Sequence, residues 1–338
     1  MDARPSDTPI VTPFSFDKPG KQGGALQLYH SNETNGYGYV PIPIVSIKNG
    51  EGPTALLIGG NHGNEYEGIV GLMNLAREID PAQVQGRIII VPALNFPAVK
   101  AGTRSSPLDD SNLNRSFPGD AAGSPTQMIA HYVSTALMPL ADVVVDLHAG
   151  GRSSDFVPCV LVRRGGDSQA DAELARLAEW FGAPLSFLSD GKGGGGGRTL
   201  SAECMRQGIP CLTAELGGGE TLSQRGLKVA IDGVRRILDR LGILSAGDAL
   251  PQASTRWVKK GLDNRIHAPE AGIFEPRIEL EDMVAAGQPV GLIHFPDFPM
   301  RKPEELLFPR SGYVLALHIP ALVSRGDELC TFVEDMNC

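Results

Sequence analysis

Leu56-Leu57-Ile58-Gly59-Gly60-Asn61-His62-Gly63-Asn64-Glu65-Tyr66-Glu67-Gly68 decides the reading of this chain: an apolar strand runs into a glycine turn that delivers an imidazole and a carboxylate three positions apart. At a strand end that opens into a helical turn, His62 and Glu65 can reach one divalent ion. A His-x-x-Glu pair alone is a weak signal, since the spacing also recurs without metal. A third donor is required.

Val143-Val144-Val145-Asp146-Leu147-His148-Ala149-Gly150-Gly151 supplies it. Three β-branched valines read as a buried parallel strand, with His148 where the strand gives way to Ala-Gly-Gly. Open α/β sheets bind ligands in the crevice outside the carboxyl ends of their strands, which predicts that His62, Glu65 and His148 converge there on zinc. Two imidazoles and one carboxylate leave a fourth position open, the donor set of a catalytic rather than a structural zinc. Asp146, two residues before His148 and so on the same face of the strand, is the natural acceptor for the other ring N–H. His30, His131, His267, His294 and His318 lack comparable neighbours and read as surface or packing residues.

The pattern extends outward from these strands. From residue 55 to about 244, apolar runs at 55–58, 88–91, 143–147, 157–162 and 211–216 alternate with helical stretches at 66–79, 127–136, 170–181 and 226–241. This predicts an α/β fold, a sheet flanked by helices, over a catalytic domain of residues 24–250. Val40-Pro41-Ile42-Pro43-Ile44-Val45 alternates around two prolines and reads as an edge strand. Residues 1–23 are expected to be an arm, partly disordered or used in a homo-oligomer. A linker around residues 245–254 leads to a smaller all-β domain over 255–338, where 268–274 with 286–291 is weakly echoed by 308–314 with 325–329. Short strands with such turns suggest a small barrel or sandwich, resembling biotinyl and lipoyl carrier domains but without a lysine in the exposed turn. A structural cap or an oligomerisation module is the expectation.

Composition narrows the class. At 338 residues with 42% hydrophobic content, the chain can bury one large core or two smaller ones. A net charge of −9 without a lysine-arginine run argues against nucleic-acid binding, which needs a basic face. No apolar run approaches the roughly 18 residues of a membrane span, and the first residues lack a secretory pattern, so a cytoplasmic protein is expected. The five cysteines, without CxxC spacing, indicate neither a disulfide framework nor a thiolate metal site.

Three further segments carry chemistry. In Asp109-Asp110-Ser111-Asn112-Leu113-Asn114-Arg115-Ser116-Phe117-Pro118-Gly119, a turn-rich loop sets the guanidinium of Arg115 beside the amide of Asn114, a pair suited to a substrate carboxylate, although a loop arginine can also be merely solvated. Ile209-Pro210-Cys211-Leu212-Thr213-Ala214-Glu215-Leu216 is an apolar strand ending in a carboxylate. Glu215 either pairs with an arginine or, beside a metal, serves as general base and then proton donor to a leaving amine. Arg104 can polarise a scissile carbonyl and stabilise its oxyanion. Gly191-Lys192-Gly193-Gly194-Gly195-Gly196-Gly197-Arg198 lacks the ending and context of a phosphate loop and reads as a mobile flap or a plain surface loop.

Taken in order, Gly60-Asn61-His62-Gly63-Asn64-Glu65, Asn114-Arg115-Ser116-Phe117-Pro118-Gly119, Asp146-Leu147-His148 and Ala214-Glu215-Leu216-Gly217 resemble the succinylglutamate desuccinylase and aspartoacylase branch of the zinc carboxypeptidase-like hydrolases, over about residues 40–338. The resemblance implies one zinc on His62, Glu65 and His148, Glu215 as catalytic glutamate, Asn114 and Arg115 as carboxylate clamp, and Arg104 as oxyanion arginine. With the glycine segment and residues 217–223 included, the chain looks nearest to the branch that deacetylates N-alpha-acetyl-L-2,4-diaminobutyrate in ectoine breakdown. That substrate carries one carboxylate and one ammonium, for which Glu220 is a candidate counter-charge or else a solvated loop residue. A carboxypeptidase-type peptidase shares the same catalytic set, deacylation of N-acetylaspartate or N-succinylglutamate is a further alternative, and a non-catalytic binding protein is the reading from another class.

Overall fold

The computed structural model of the chain describes residues 8–31, 33–163, 165–189, 195–245, 250–261 and 263–336. At its centre, strands Gly86–Val91, Thr54–Gly59, Val143–His148 and Cys211–Glu215 lie side by side in that order, all parallel. Every residue of Thr54–Gly59 and Val143–His148 is buried, because helices cover both faces of the sheet. Ala55 and Leu57 pack with helices Tyr66–Glu78, Ser168–Phe181 and Gln224–Arg240 on one side. Leu56, Ile58 and Val144 pack with Pro125–Tyr132 and Leu200–Arg206 on the other. The side-chain period of two along each strand divides the apolar residues between these two cores.

The expected α/β architecture is present, and its strand ends are in register. Gly59 pairs with Leu147, and His148 pairs with Glu215, so the chain leaves three neighbouring strands at one edge of the sheet. Two glycines make the local packing possible. A Cβ on Gly63 would stand 2.0 Å from the carbonyl carbon of Ala98, and one on Gly68 would stand 2.6 Å from the Cβ of Leu147, so helix Tyr66–Glu78 seats directly on the His148 strand.

Several boundaries differ from the sequence reading. Ile10 and Val11 pair with Leu28 and Gln27, and the Gly20–Tyr29 strand starts inside the expected arm, so from residue 8 this segment is part of the main sheet; residues 1–7 lie outside the described residues. Tyr39–Asn49 is an interior strand rather than an edge strand, between Gly20–Tyr29 and Gly86–Val91. Its prolines are tolerated because Pro41 and Pro43 pair only with the Gly20–Tyr29 side, and the second neighbour joins from Val45 onward.

The C-terminal segment is all-β, with a four-stranded antiparallel sheet and a core around Phe274, Phe308 and Phe332. It is not a detached module. Arg256–Lys259 pairs with Leu185–Ser189 on one side and with Glu328–Asp335 on the other, so the large sheet runs unbroken across the expected linker, whose residues 246–249 lie outside the described set. Val157, Cys159, Leu185, Val258, Leu315 and Val333 form one apolar cluster at this junction. No described helix is long and apolar enough to cross a membrane, and the four described cysteines are free thiols.

Candidate active site

Glu65 sits at the extended position just before helix Tyr66–Glu78, where a side chain usually caps the helix. Its carboxylate makes no cap and turns to the sheet edge instead. There Oε1 lies 2.8 Å from Nδ1 of His62, and Oε2 lies 2.8 Å from Nδ1 of His148 and accepts from the Ala149 backbone N–H at 3.2 Å. The three donor atoms lie within 4.8 Å of one another, and all three side chains are 2–3% exposed. Among the described residues they form the one group of three such donors.

The far nitrogen of each ring is held as well. Nε2 of His148 is 3.0 Å from Oδ2 of Asp146, the partner anticipated from strand geometry. Nε2 of His62 is 3.1 Å from Oδ1 of Asn112, a residue the sequence reading passed over. Partners of this kind orient the rings and leave Nδ1 of both facing Glu65, an arrangement that suits a shared metal. The need for such a partner, together with a second amide in the Asp109–Gly119 loop, was the available signal for Asn112.

The electrostatics follow from burial against pairing. Burial works against the charge of Glu65, but His148 and His62 outweigh it and hold the carboxyl well below the usual range. Burial likewise opposes a charged His148, and Asp146 and Glu65 overcome it, raising its pKa well above that of a free imidazole. At His62 burial prevails over Glu65, and the pKa falls. Two buried carboxylates, Glu65 and Asp146, thus surround His148, and a divalent cation would offset their charge. The donor set, two imidazoles and one carboxylate, matches zinc.

Glu215 ends the strand beside His148 and faces the same cavity. Its Oε2 is closed to solvent and has no hydrogen-bond partner among the described residues. Burial pushes its pKa up to about 8, with His148 drawing it down and Glu65 pushing it further up. An unpaired carboxylate so placed is available for proton transfer.

The cavity measures about 640 Å³ and brings His62, Glu65, His148, Glu215, Arg104, Asn114 and Arg115 together. Arg104 donates from Nη1 to Oε1 of Glu65 at 3.2 Å with its side chain 47% exposed, so the rest of its fork faces the opening. Arg115 donates to the backbone oxygen of Asn114 at 2.7 Å and makes no ion pair among the described residues. Burial, then Arg104, lowers its pKa. Asn114 lines the cavity beside Arg115; its Oδ1 accepts from Leu200 N–H at 2.9 Å and its Nδ2 lies 3.3 Å from Nε2 of His148.

Glu220 does not line this cavity. It accepts from Nδ2 of Asn64 at 3.0 Å and has a positive φ of 54°, tying the loop after Glu215 to the turn that carries His62. Of the glycine segment, residues 191–194 lie outside the described set and Gly195 lines the cavity. The C-terminal domain, expected as a structural cap or oligomerisation module, also lines the cavity, with Arg265, His318, Asp327 and Glu328 among its contributions.

Comparison with known proteins places this geometry. Residues 51–241 match the model of the succinylglutamate desuccinylase/aspartoacylase catalytic domain. The chain is 37% identical, over 98% of its length and 96% of the relative's, to the N-alpha-acetyl-L-2,4-diaminobutyric acid deacetylase of Halomonas elongata. Among solved structures, a succinylglutamate desuccinylase/aspartoacylase from Rhodobacter sphaeroides superposes with a TM-score of 0.92 at 37% identity, covering 98% of this chain and 100% of that one. The product-bound ectoine utilization protein EutE (DoeB) of Ruegeria pomeroyi superposes equally well, TM-score 0.92 at 37% identity, covering 97% and 99%.

Proposed function

The chain belongs to the succinylglutamate desuccinylase/aspartoacylase family of amide-hydrolysing enzymes, and we propose that within it this enzyme deacetylates N-alpha-acetyl-L-2,4-diaminobutyrate, using zinc on His62, Glu65 and His148. The observation that carries the reading is the convergence on one cavity of the buried His-Glu-His group, Glu215 with its Oε2 unpartnered, and Arg115 without an ion pair among the described residues. The identity to the Halomonas deacetylase along nearly the whole chain supports the choice of substrate.

Each residue has a task that follows from its surroundings. Zinc, when bound, supplies Lewis acidity to the acetyl carbonyl and to a water molecule. Arg115 receives the substrate α-carboxylate on its planar donor fork, which sets the amide bond within reach of Glu215. Glu215 takes a proton from the attacking water and delivers it to the leaving amine nitrogen, so the products are acetate and the free amino acid. Arg104, half-exposed at the opening, is placed to donate to the carbonyl oxygen as negative charge develops there. Asp146, Asn112 and Asn114 keep the two rings in position.

A doubly anionic substrate such as N-acetylaspartate is the second reading, because Arg163 also lines the cavity and makes no ion pair among the described residues. The C-terminal domain walls the cavity, which suits a small acyl amino acid better than a peptide. The test is a comparison of kcat/KM for zinc-loaded protein on N-alpha-acetyl-L-2,4-diaminobutyrate, N-acetylaspartate, N-succinylglutamate and a blocked dipeptide. A clear preference for the first supports the proposal. A preference for N-acetylaspartate replaces it with the second reading.

Arg115→Lys is expected to reduce kcat/KM although charge is kept, since an ammonium is a point donor and cannot reproduce two parallel N–H bonds to a carboxylate. The loss should be about 10- to 100-fold, the equivalent of one charge-assisted hydrogen bond. It should shrink when the substrate is an N-acetyl amine without the α-carboxylate. Equal losses on both substrates would remove Arg115 from the clamp.

A further inference from the structure

His318 lies at the end of the Gly312–His318 strand, which the fold carries across to the catalytic domain. Ala316, Leu317 and His318 pair with Phe156, Asp155 and Ser154, and the next residue, Ile319, donates its N–H to the backbone oxygen of Ser153 at 3.0 Å. The segment 153–156 follows directly from His148 through the Gly150-Gly151 turn. His318 is thereby fixed in the wall of the catalytic cavity. Its Nε2 is closed to solvent and has no hydrogen-bond partner among the described residues. A buried ring nitrogen without a partner is costly, and on the wall of a ligand cavity a bound ligand is one group that can supply it.

We propose that His318, contributed by the C-terminal domain, is a specificity-determining residue that accepts a hydrogen bond from the cationic side chain of the substrate. The proposal rests on the deacetylase reading above for the identity of that side chain. In that reading the other ends of a bound acyl amino acid already have partners: the carboxylate has Arg115, and the acetyl carbonyl has Arg104 beside the His-Glu-His group. What remains is the side chain, and the C-terminal wall carries the chemistry for a cation. Asp327 and Glu328 face a single cation there, Arg265, which is spent on Glu328 at 3.2 Å. One carboxylate is in excess, that of Asp327, whose Oδ2 accepts from Ser324 N–H at 2.7 Å and which makes no ion pair among the described residues. Nε2 of His318 can accept in the tautomer that carries the proton on Nδ1, and an ammonium in a wall of net negative charge selects that tautomer. A carboxylate side chain would instead seek Arg163, on the catalytic domain.

The experiment compares wild type, His318→Phe and His318→Asn on N-alpha-acetyl-L-2,4-diaminobutyrate and on the neutral isostere N-acetyl-L-norvaline, with calorimetric binding of the product L-2,4-diaminobutyrate as a second readout. His318→Phe should lower kcat/KM for the cationic substrate about tenfold or more, chiefly through KM, and weaken product binding to a similar degree, while the norvaline derivative changes less than about threefold. His318→Asn, which keeps an acceptor, should recover part of the loss. Equal losses on the two substrates, or unchanged product affinity, would overturn the assignment. A wild type that prefers N-acetylaspartate would overturn the diaminobutyrate reading instead, and the ratio between the diaminobutyrate and norvaline derivatives would still decide the role of His318.

Discussion

Glu215→Gln should leave the protein folded and metal-loaded yet reduce kcat by about 10²- to 10⁴-fold, or roughly 3–5 kcal/mol of transition-state stabilisation. The amide is isosteric, and Oε2 gives up no hydrogen bond in the change because it has none among the described residues. What disappears is the capacity to take a proton from water and return it to the amine. The pH profile gives an independent check. A base must be ionised to act, so activity should fall as pH drops through the pKa of Glu215. Burial raises that pKa to about 8 before any cation is present, and a bound cation can only lower it. The acid limb of kcat against pH should therefore lie between the ordinary carboxylate range and about 8, and it should be absent from the residual activity of the glutamine variant. A variant with near-normal kcat and an unchanged acid limb would show that another group activates the water.

The His62-Glu65-His148 group, the strand that ends in Glu215 and the central sheet were legible because each is encoded locally. A β-branched run that ends in a functional residue and a glycine turn states both the strand and the edge at which it stops, and Val143–His148 and Cys211–Glu215 both have that form. The register between them, which sets His148 beside Glu215, is a property of two segments more than sixty residues apart, and the sequence offered it only through the general rule for parallel sheets. His318 was invisible for the same reason in stronger form. Nothing around it distinguishes it from His267 or His294, and its place in the cavity depends on a strand pairing with Ser154 across the domain boundary. Glu220 shows the converse case. Proximity to Glu215 in sequence suggested a place in the pocket, but the glycines between them turn the chain so that its carboxylate meets Asn64.

His148→Ala should abolish stable metal binding, with bound zinc falling to about a tenth of one equivalent or less after dialysis and turnover lost with it. Removing a residue that merely orients a ligand typically costs 10- to 100-fold in metal affinity, and loss of a ligand itself should exceed that. The alanine also leaves the carboxylates of Asp146 and Glu65 buried without the imidazole between them, so the variant should be less stable. Metal content alone would then confuse weak binding with partial unfolding. The separating measurement is the rise of Tm on adding zinc, which reports binding to the folded state: large for the wild type, absent for the variant. The metal-free wild type should show a further signature. Its His148 has a raised pKa, so the stability contributed by the imidazolium is fully present below the ordinary pKa of histidine and is lost as pH rises through the raised value. A ligand must be neutral at Nδ1, so zinc competes with that proton, and its stabilising effect should grow with pH over the same window. A zinc-dependent rise in Tm that is the same in wild type and variant, or that does not change with pH, would place the metal elsewhere.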